Sequence, residues 1–428
     1  MKSEEKRVSS PPFWKREDWV AVWIGIFFIA VAVSTPSIRF YRIPVWDNLQ
    51  KIQWNALVYS TALLYVLLFV PTTLAVRLSN IGSIRKYLAF FSLLFVLSFL
   101  SVLISANELV SRWGLEFVIW ALLFGLLFSN ILNVVHPFKD FLNSELFIKS
   151  GLVLLGAELS LSTVLRAGIF GLIQATLGVF LVWYFCYFLA TKLGMSKSFS
   201  AIMATGVSIC GVSAAIAAGG AVKGKPEEVA YVTSIILLAA APMVVLIPLV
   251  ARAIQLSDVI AGAWIGGLID TTPAVVAAGA LYGEEAMQIA TLVKMSQNAM
   301  IGVAAFLLAL YWTLRVEAKV EERPKPLEVW YRFPKFILGF TIAFLMFSFL
   351  LPPVLGDAGT RSVLGVTGEL RKWFFAMAFI SIGLRTKFAE FVKFGKGKPA
   401  LAFLGAQLFN AFVTLLLAAT LFGAFLQI

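Results

Sequence analysis

Apolar runs of about 18 to 25 residues recur along the chain, each long enough to cross a hydrocarbon layer of roughly 30 Å at 1.5 Å of helical rise per residue. They predict helices near 18–36, 55–77, 86–105, 114–132, 145–161, 167–191, 198–222, 226–251, 258–282, 286–314, 334–351, 368–388 and 398–426. Strands of a membrane barrel would be roughly ten residues long and alternate in polarity. Runs such as Leu172 to Leu189 do not alternate. The pattern predicts an all-α polytopic membrane protein.

Composition agrees. Of 428 residues 60% are hydrophobic and 14% charged, more apolar side chain than a soluble core of this length encloses. The net charge of +12 is not a nucleic-acid footprint, because Lys and Arg cluster between apolar runs, at Lys2–Arg16, Arg77–Lys86, Lys139–Lys149, Lys192–Lys197, Arg315–Lys335 and Arg385–Lys398. Set on the cytoplasmic side, these clusters place the N-terminus inside and the C-terminus outside a bacterial-type inner (plasma) membrane. The first run comes after basic residues but is not succeeded by a small-residue cleavage site, so it reads as a retained helix rather than a signal peptide. Trp46, Trp54, Trp113, Trp330 and Trp373 lie at run edges, where an amphipathic ring suits the interface.

Cys186 and Cys210 both lie in apolar segments and His136 is the single histidine, so neither a disulfide framework nor a metal site is expected. The charged stretch Arg315 to Pro334 reads as a cytoplasmic linker. It divides the chain into N-terminal additional helices (1–113), a first helical block (114–314), the linker (315–334) and a C-terminal block (335–428).

Two internal similarities appear. Leu155-Gly156 through Gly168 aligns without a gap with Ile382-Gly383 through Gly395, an offset of 227 (156 to 383). Seven predicted segments lie between the two blocks, an odd number, which is the signature of an inverted repeat. Independently, Gly206–Ile235 aligns with Gly266–Met295 at an offset of 60 (206 to 266), matching SAAIAAGG to PAVVAAGA. If each of 198–222 and 258–282 spans, these copies are parallel; if each is a re-entrant hairpin, they are inverted. The reading leans to re-entrant or broken helices crossing near the midplane.

Segment 198–222 is too rich in Ser, Gly and Thr for a lipid-facing helix. Gly206-Val-Ser208-Ile-Cys210-Gly211-Val-Ser213 supplies glycine where a helix unwinds and hydroxyls to cap the next half-helix. In Leu268-Ile-Asp270-Thr271-Thr272-Pro273-Ala274, a Thr or Asp before Pro marks a new helix start, with the side-chain oxygen capping free amides. Amides and positive dipole ends inside a membrane favour an anion. Lys294 falls about 14 Å into its helix at helical rise, with Gln297 and Asn298 one turn on. It adds a cation, and a purely structural pair with Asp270 is the alternative. Small-residue packing without a ligand, and Asp270 as a plain helix cap, are the bland readings of these segments. Glu158 and Arg385 sit near helix ends and read as snorkelling to the interface.

In this order, S-I-C-G at Ser208 to Gly211, E-E-V-A at Glu227 to Ala230, V-V-A-A-G at Val275 to Gly279 and A-T-x-V-K-M at Ala290 to Met295 resemble the YeiH-type sulfate-exporter family, itself related to the cation/proton antiporter and bile-acid symporter group. The resemblance covers about Gly114 to Ile428. It implies inverted units, a mobile core with broken or re-entrant half-helices, and alternating access without ATP. Relatives carry a His-Glu pair and a Gln where this chain has Asp270, Thr271 and Ala274, and an Arg at Gln297. These departures leave open a different anion, or cation coupling through Asp270.

Together these readings predict a secondary transporter, not an enzyme, for a small anion such as sulfate, a sulfonate or a small carboxylate. Ser208, Cys210, Gly211, Ser213, Thr271, Thr272, Lys294, Gln297 and Asn298 would form its substrate site. Asp270 would take Na⁺ or a proton as coupling ion, and no other cofactor is expected. The lipid bilayer is a partner, nucleic acid is not, and a homodimer is allowed for. An intramembrane enzyme and an anion channel are the competing readings.

Overall fold

A computed structural model of the chain describes residues 16–36, 38–79, 82–112, 117–131, 136–142, 145–159, 161–312, 330, 334–387 and 397–425. Its helices are α1 (Glu17–Ser34), α2 (Trp54–Ser79), α3 (Ile84–Ser105), α4 (Glu108–Arg112), α5 (Phe117–Asn130), α6 (Lys139–Leu142), α7 (Leu146–Glu158), α8 (Leu161–Lys192), α9 (Lys197–Ser208), α10 (Val212–Ala221), α11 (Pro226–Ala253), α12 (Asp258–Leu268), α13 (Thr272–Tyr282), α14 (Glu284–Tyr311), α15 (Phe336–Leu345), α16 (Leu351–Arg385) and α17 (Lys398–Phe425). Among the described residues there is no β-strand, and eight helical stretches are long and apolar enough to cross a membrane. The protein is a polytopic helical membrane protein.

The chain forms two compact units, 1–96 with 136–158 and 335–377, and 97–135 with 159–334 and 378–428. These are not the consecutive blocks read from the sequence, because helices from both ends of the chain share the first core. In that unit α1, α7 and α15 pack through Val22, Val153 and Gly339, and Lys149 binds Asp18 at 2.8 Å and Glu17 at 3.2 Å.

Three expectations change in the first unit. The segment predicted at 368–388 begins far earlier: a π-turn at Met346–Leu350 runs into α16, which bends at Gly356 (φ 67°) and continues to Arg385. Polar residues such as Asp357, Arg361 and Ser362 hid its first part from hydropathy, yet polar side chains along the whole helix find partners within the chain. Ser362 donates to the Pro36 carbonyl at 2.6 Å and Arg371 to Glu158 at 2.8 Å. Glu158 is therefore held in a mostly buried ion pair and does not snorkel. Trp373 falls well inside the longer helix, buried and stacked on Phe95 at 4.7 Å between ring centroids, instead of marking an interface.

In the second unit, 198–222 and 258–282 are each interrupted after one half, and each doubles back. At Gly219 and at Gly224 an added Cβ would meet Ile202, so α10 returns alongside α9. Likewise Gly262 and Gly279 both lie against Ala286, and the Tyr282 hydroxyl donates to the Leu256 carbonyl at 2.5 Å, closing α12 and α13 into a second hairpin. Both are re-entrant in form, the alternative that the sequence left open.

Helix α11 relates the two hairpins. Near its start Glu228 takes hydrogen bonds from Ser196 and Ser198, at the foot of the first hairpin, at 2.8 and 2.9 Å. Near its end Arg252 donates to the Leu281 and Tyr282 carbonyls at the foot of the second, at 2.9 and 3.2 Å. Helical rise puts about 36 Å between Glu228 and Arg252, more than a hydrocarbon layer of roughly 30 Å. The hairpins enter from opposite ends, and each reaches about half way. The offset of 60 carries α9, α10 and α11 onto 257–268, 272–281 and 286–313, within about two residues of α12, α13 and α14. Packing is reciprocal too: α10 lies on α14, and its counterpart α13 on α11. The longer alignment, at an offset of 227, runs into 388–395, which lie outside the described residues.

Helix α17 is built inside out. Leu401, Leu404, Leu408, Phe412 and Leu416 form an exposed apolar stripe, while Gln407, Asn410 and Thr414 are buried. In water this arrangement would be costly. In lipid the stripe faces its proper solvent, and the amides find partners inside the protein.

Candidate functional site

Each hairpin starts with a serine cap. Ser196 Oγ accepts from the Phe199 amide and Ser257 Oγ from the Ile260 amide, ending the preceding turn and starting α9 and α12. Each hairpin then stops where the sequence breaks helical geometry. Gly211 sits at φ +70°, a backbone that glycine takes without strain. Pro273 comes after Thr272 as the second residue of α13, where its missing N–H breaks no helical bond.

The two tips meet. A Cβ on Gly211 would lie 3.2 Å from Thr271 and 3.4 Å from Asp270. At this junction Ser208, Asp270, Thr271, Gln297 and Asn298 are buried, and Cys210 is 8% exposed. Thr272 is half-buried, whereas Ser213 is exposed one residue past the start of α10.

Neither second half-helix is capped by a side chain, against the expectation that hydroxyls or Asp270 would do so. The carboxylate of Asp270 instead accepts from the Gln407 amide. Ser208 Oγ has no hydrogen-bond partner. The amides opening α10 at Val212 and Ser213, and α13 at Thr272 and Ala274, are those that a helix leaves without an internal acceptor. Two positive helix ends therefore start beside one another within the protein.

Lys294 is 1% exposed and lies on α14 facing the first tip. Its ammonium donates to the Ile209 carbonyl at 2.6 Å and to Gln297 Oε1 at 2.8 Å. Gln297 Nε2 in turn donates to the Gly267 carbonyl at 3.1 Å. The lysine thus reaches the closing end of α9 directly and that of α12 through one amide, where the helix dipoles are negative. These acceptors, and not the Asp270 carboxylate, take its protons, so the direct ion pair weighed from the sequence is not formed. Asn298 Nδ2 donates to Thr272 Oγ1 at 3.0 Å, tying α14 to the start of α13.

Close packing places α14. Gly262 and Gly266, four residues apart on α12, would each put a Cβ 2.5 Å from a backbone carbonyl, of Ala286 and Ala290 respectively. Such a small-xxx-small face lets two helices approach to backbone contact. That proximity brings the Gly267 carbonyl within reach of Gln297.

Three residues of the site were not singled out from the sequence. Gln407 holds Asp270, Asn410 donates to the Leu268 carbonyl at 3.2 Å, and Gln174 on α8 donates to the Ala263 carbonyl at 2.8 Å. The spacing Gln407, Asn410, Thr414 is a one-face polar stripe in an apolar span, which helical periodicity reveals. Among the described residues no three His, Cys, Asp or Glu gather to hold a metal ion.

Fold and site together define a polytopic helical membrane protein with a polar centre built where two opposed helical hairpins touch. The chain belongs to the family described as Conserved hypothetical protein 698, whose model matches residues 89–403. It is 38% identical over 346 residues to the UPF0324 membrane protein RB9488 of Rhodopirellula baltica, covering 79% of this chain and 64% of that one. It is 36% identical over 347 residues to a UPF0324 membrane protein of Nitratidesulfovibrio vulgaris, covering 79% and 60%. A UPF0324 membrane protein of Nitrosomonas europaea, NE0724, is 27% identical over 453 residues, covering 91% and 92%. The chain thus spans about three-fifths of the length of the first two relatives. No solved structure matches.

Proposed function

We propose that the protein is a secondary transporter that carries a small anion, such as sulfate, a sulfonate or a small carboxylate, by alternating access across the bacterial inner membrane. The observation that carries this reading is the meeting of two uncapped helix N-termini, α10 and α13, beside the buried Lys294. Non-helical backbone at membrane depth is tolerated only where it is buried in protein or lines a cavity. Half-helix starts there favour an anion, as in transporters built on repeats. In this reading the anion binds the leading amides of both half-helices with Ser208, Cys210, Gly211, Ser213, Thr271 and Thr272 around it. Lys294, Gln297 and Asn298 stand behind, and Asp270 takes part in ion coupling.

The resemblance to the YeiH-type family and the opposed hairpins, which fit an inverted repeat, support the same reading. Alternating access then consists of exposing one junction from either foot in turn. The test is counterflow in proteoliposomes with labelled sulfate, an alkylsulfonate and a small carboxylate. Saturable exchange of one of these, lost in a folded Gly211→Ala variant, is expected. Absence of exchange for every anion, or large single-channel currents in its place, overturns the carrier reading.

A further inference from the structure

Beside the free amides of the two half-helix starts, the junction also holds acceptors. Asp270 Oδ1, Asn298 Oδ1 and Gln407 Oε1 are buried without partners, and the Ile209 carbonyl ends α9 with its dipole negative toward the same place. Unwound carbonyls and half-helix C-terminal ends inside a membrane are the chemistry that coordinates a small cation in secondary transporters. Here the group at the closing end of α9 is the Lys294 ammonium, 2.6 Å from the Ile209 carbonyl and 2.8 Å from Gln297 Oε1, while the three side-chain oxygens take no proton from it.

We propose that the Lys294 ammonium is a tethered cation occupying a monovalent-cation site, so that the protein's stability and cycle do not require Na⁺, and that truncating this side chain exposes a site for a small free cation. The inference builds on the transporter reading by naming what fills the cation position of the same junction. Geometry is its basis: the lysine enters from α14, not from either hairpin, and joins the closing ends of α9 and, through Gln297, of α12. A free cation would do the same work of holding two negative helix ends together. The charged or titratable groups facing it from the tips are Asp270 and Cys210.

The test is thermal unfolding of the detergent-purified full chain in NaCl, KCl, ethylammonium chloride or choline chloride at equal ionic strength. Wild type is expected to unfold at one temperature in all four. Lys294→Ala is expected to unfold several degrees lower in choline, and to recover part of that loss saturably in Na⁺ or ethylammonium. Lys294→Met, which fills the space with an apolar chain, is expected to be destabilised and indifferent to the salt. Saturable stabilisation of wild type by Na⁺ overturns the proposal, and that arm needs no variant to fold. An equal cation response in Lys294→Met, or none in a folded Lys294→Ala, also overturns it. No substrate enters these measurements, so their failure leaves anion counterflow standing, and a failure of counterflow leaves them standing.

Discussion

Lys294, on α14, hydrogen-bonds the backbone carbonyl of Ile209, 85 positions earlier in the chain and at the tip of the first hairpin. A lysine buried to this extent is expensive unless its protons find acceptors, and two of the three do. Here the acceptors are a helix end and an amide that itself holds the other hairpin. The contact turns a costly charge into a further tie between two hairpins that also meet where Gly211 lies against Asp270 and Thr271.

Gln407 is the donor that the Asp270 carboxylate uses. Replacing it by Leu leaves a buried carboxylate short of a partner, which costs about 1–3 kcal/mol. Asn410→Ala removes a bond to a backbone carbonyl and is expected to cost less, about 0.6 kcal/mol by the average for interhelical bonds in membranes. Unfolding of both variants in detergent checks the order, Gln407→Leu being the worse.

Gly211→Ala puts a side chain where φ is +70° and Ile236 lies 2.9 Å from the new Cβ. A cost of about 1–3 kcal/mol is expected from the backbone alone. Gly220→Ala, on the same half-helix with nothing within 4 Å, is expected to be neutral or to stabilise by roughly 0.5–1 kcal/mol. Parallel melts of the two variants separate strain at the tip from helix propensity.

Gly266→Leu drives a side chain into the Ala290 backbone and separates α12 from α14. Overpacking of this kind costs about 1–3 kcal/mol. It is expected to abolish anion counterflow even where the variant folds, since Gln297 then loses the Gly267 carbonyl.

Trp373→Ala is expected to cost about 3–5 kcal/mol, the range for a buried large aromatic, because its ring stacks on Phe95. Trp54→Ala, at a residue that is 44% exposed, is expected to be close to neutral in the same unfolding assay.

The breaks at 209–211 and 269–271 were legible because their cause is local. Glycine among small residues, and Thr-Thr-Pro, disturb a helix wherever they stand. Whether each segment spans or returns was not legible, since about 25 residues suffice for either. Only long-range contacts such as Arg252 to Leu281 decide it. The early start of α16 was masked by Asp357 and Arg361, charges that hydropathy reads as solvent-facing, together with Pro352, Pro353 and Gly356. Gln407 escaped notice because a single amide in an apolar run carries no signal until its one-face companions Asn410 and Thr414 are counted with it. The direction of Lys294 escaped because residue type gives its charge but not which helix end it faces.

The central claim is that two hairpins enter from opposite faces and touch at their tips. The most direct test replaces Cys186 and Cys210, introduces single cysteines at Ser196, Lys223, Ser257 or Glu284, all exposed at hairpin feet, and labels intact cells and inverted vesicles with a membrane-impermeant maleimide. Ser196→Cys and Lys223→Cys are expected to react from one face, and Ser257→Cys and Glu284→Cys from the other. Labelling of positions 196 and 223 from opposite faces would mean that 198–222 spans the membrane, and would contradict the account.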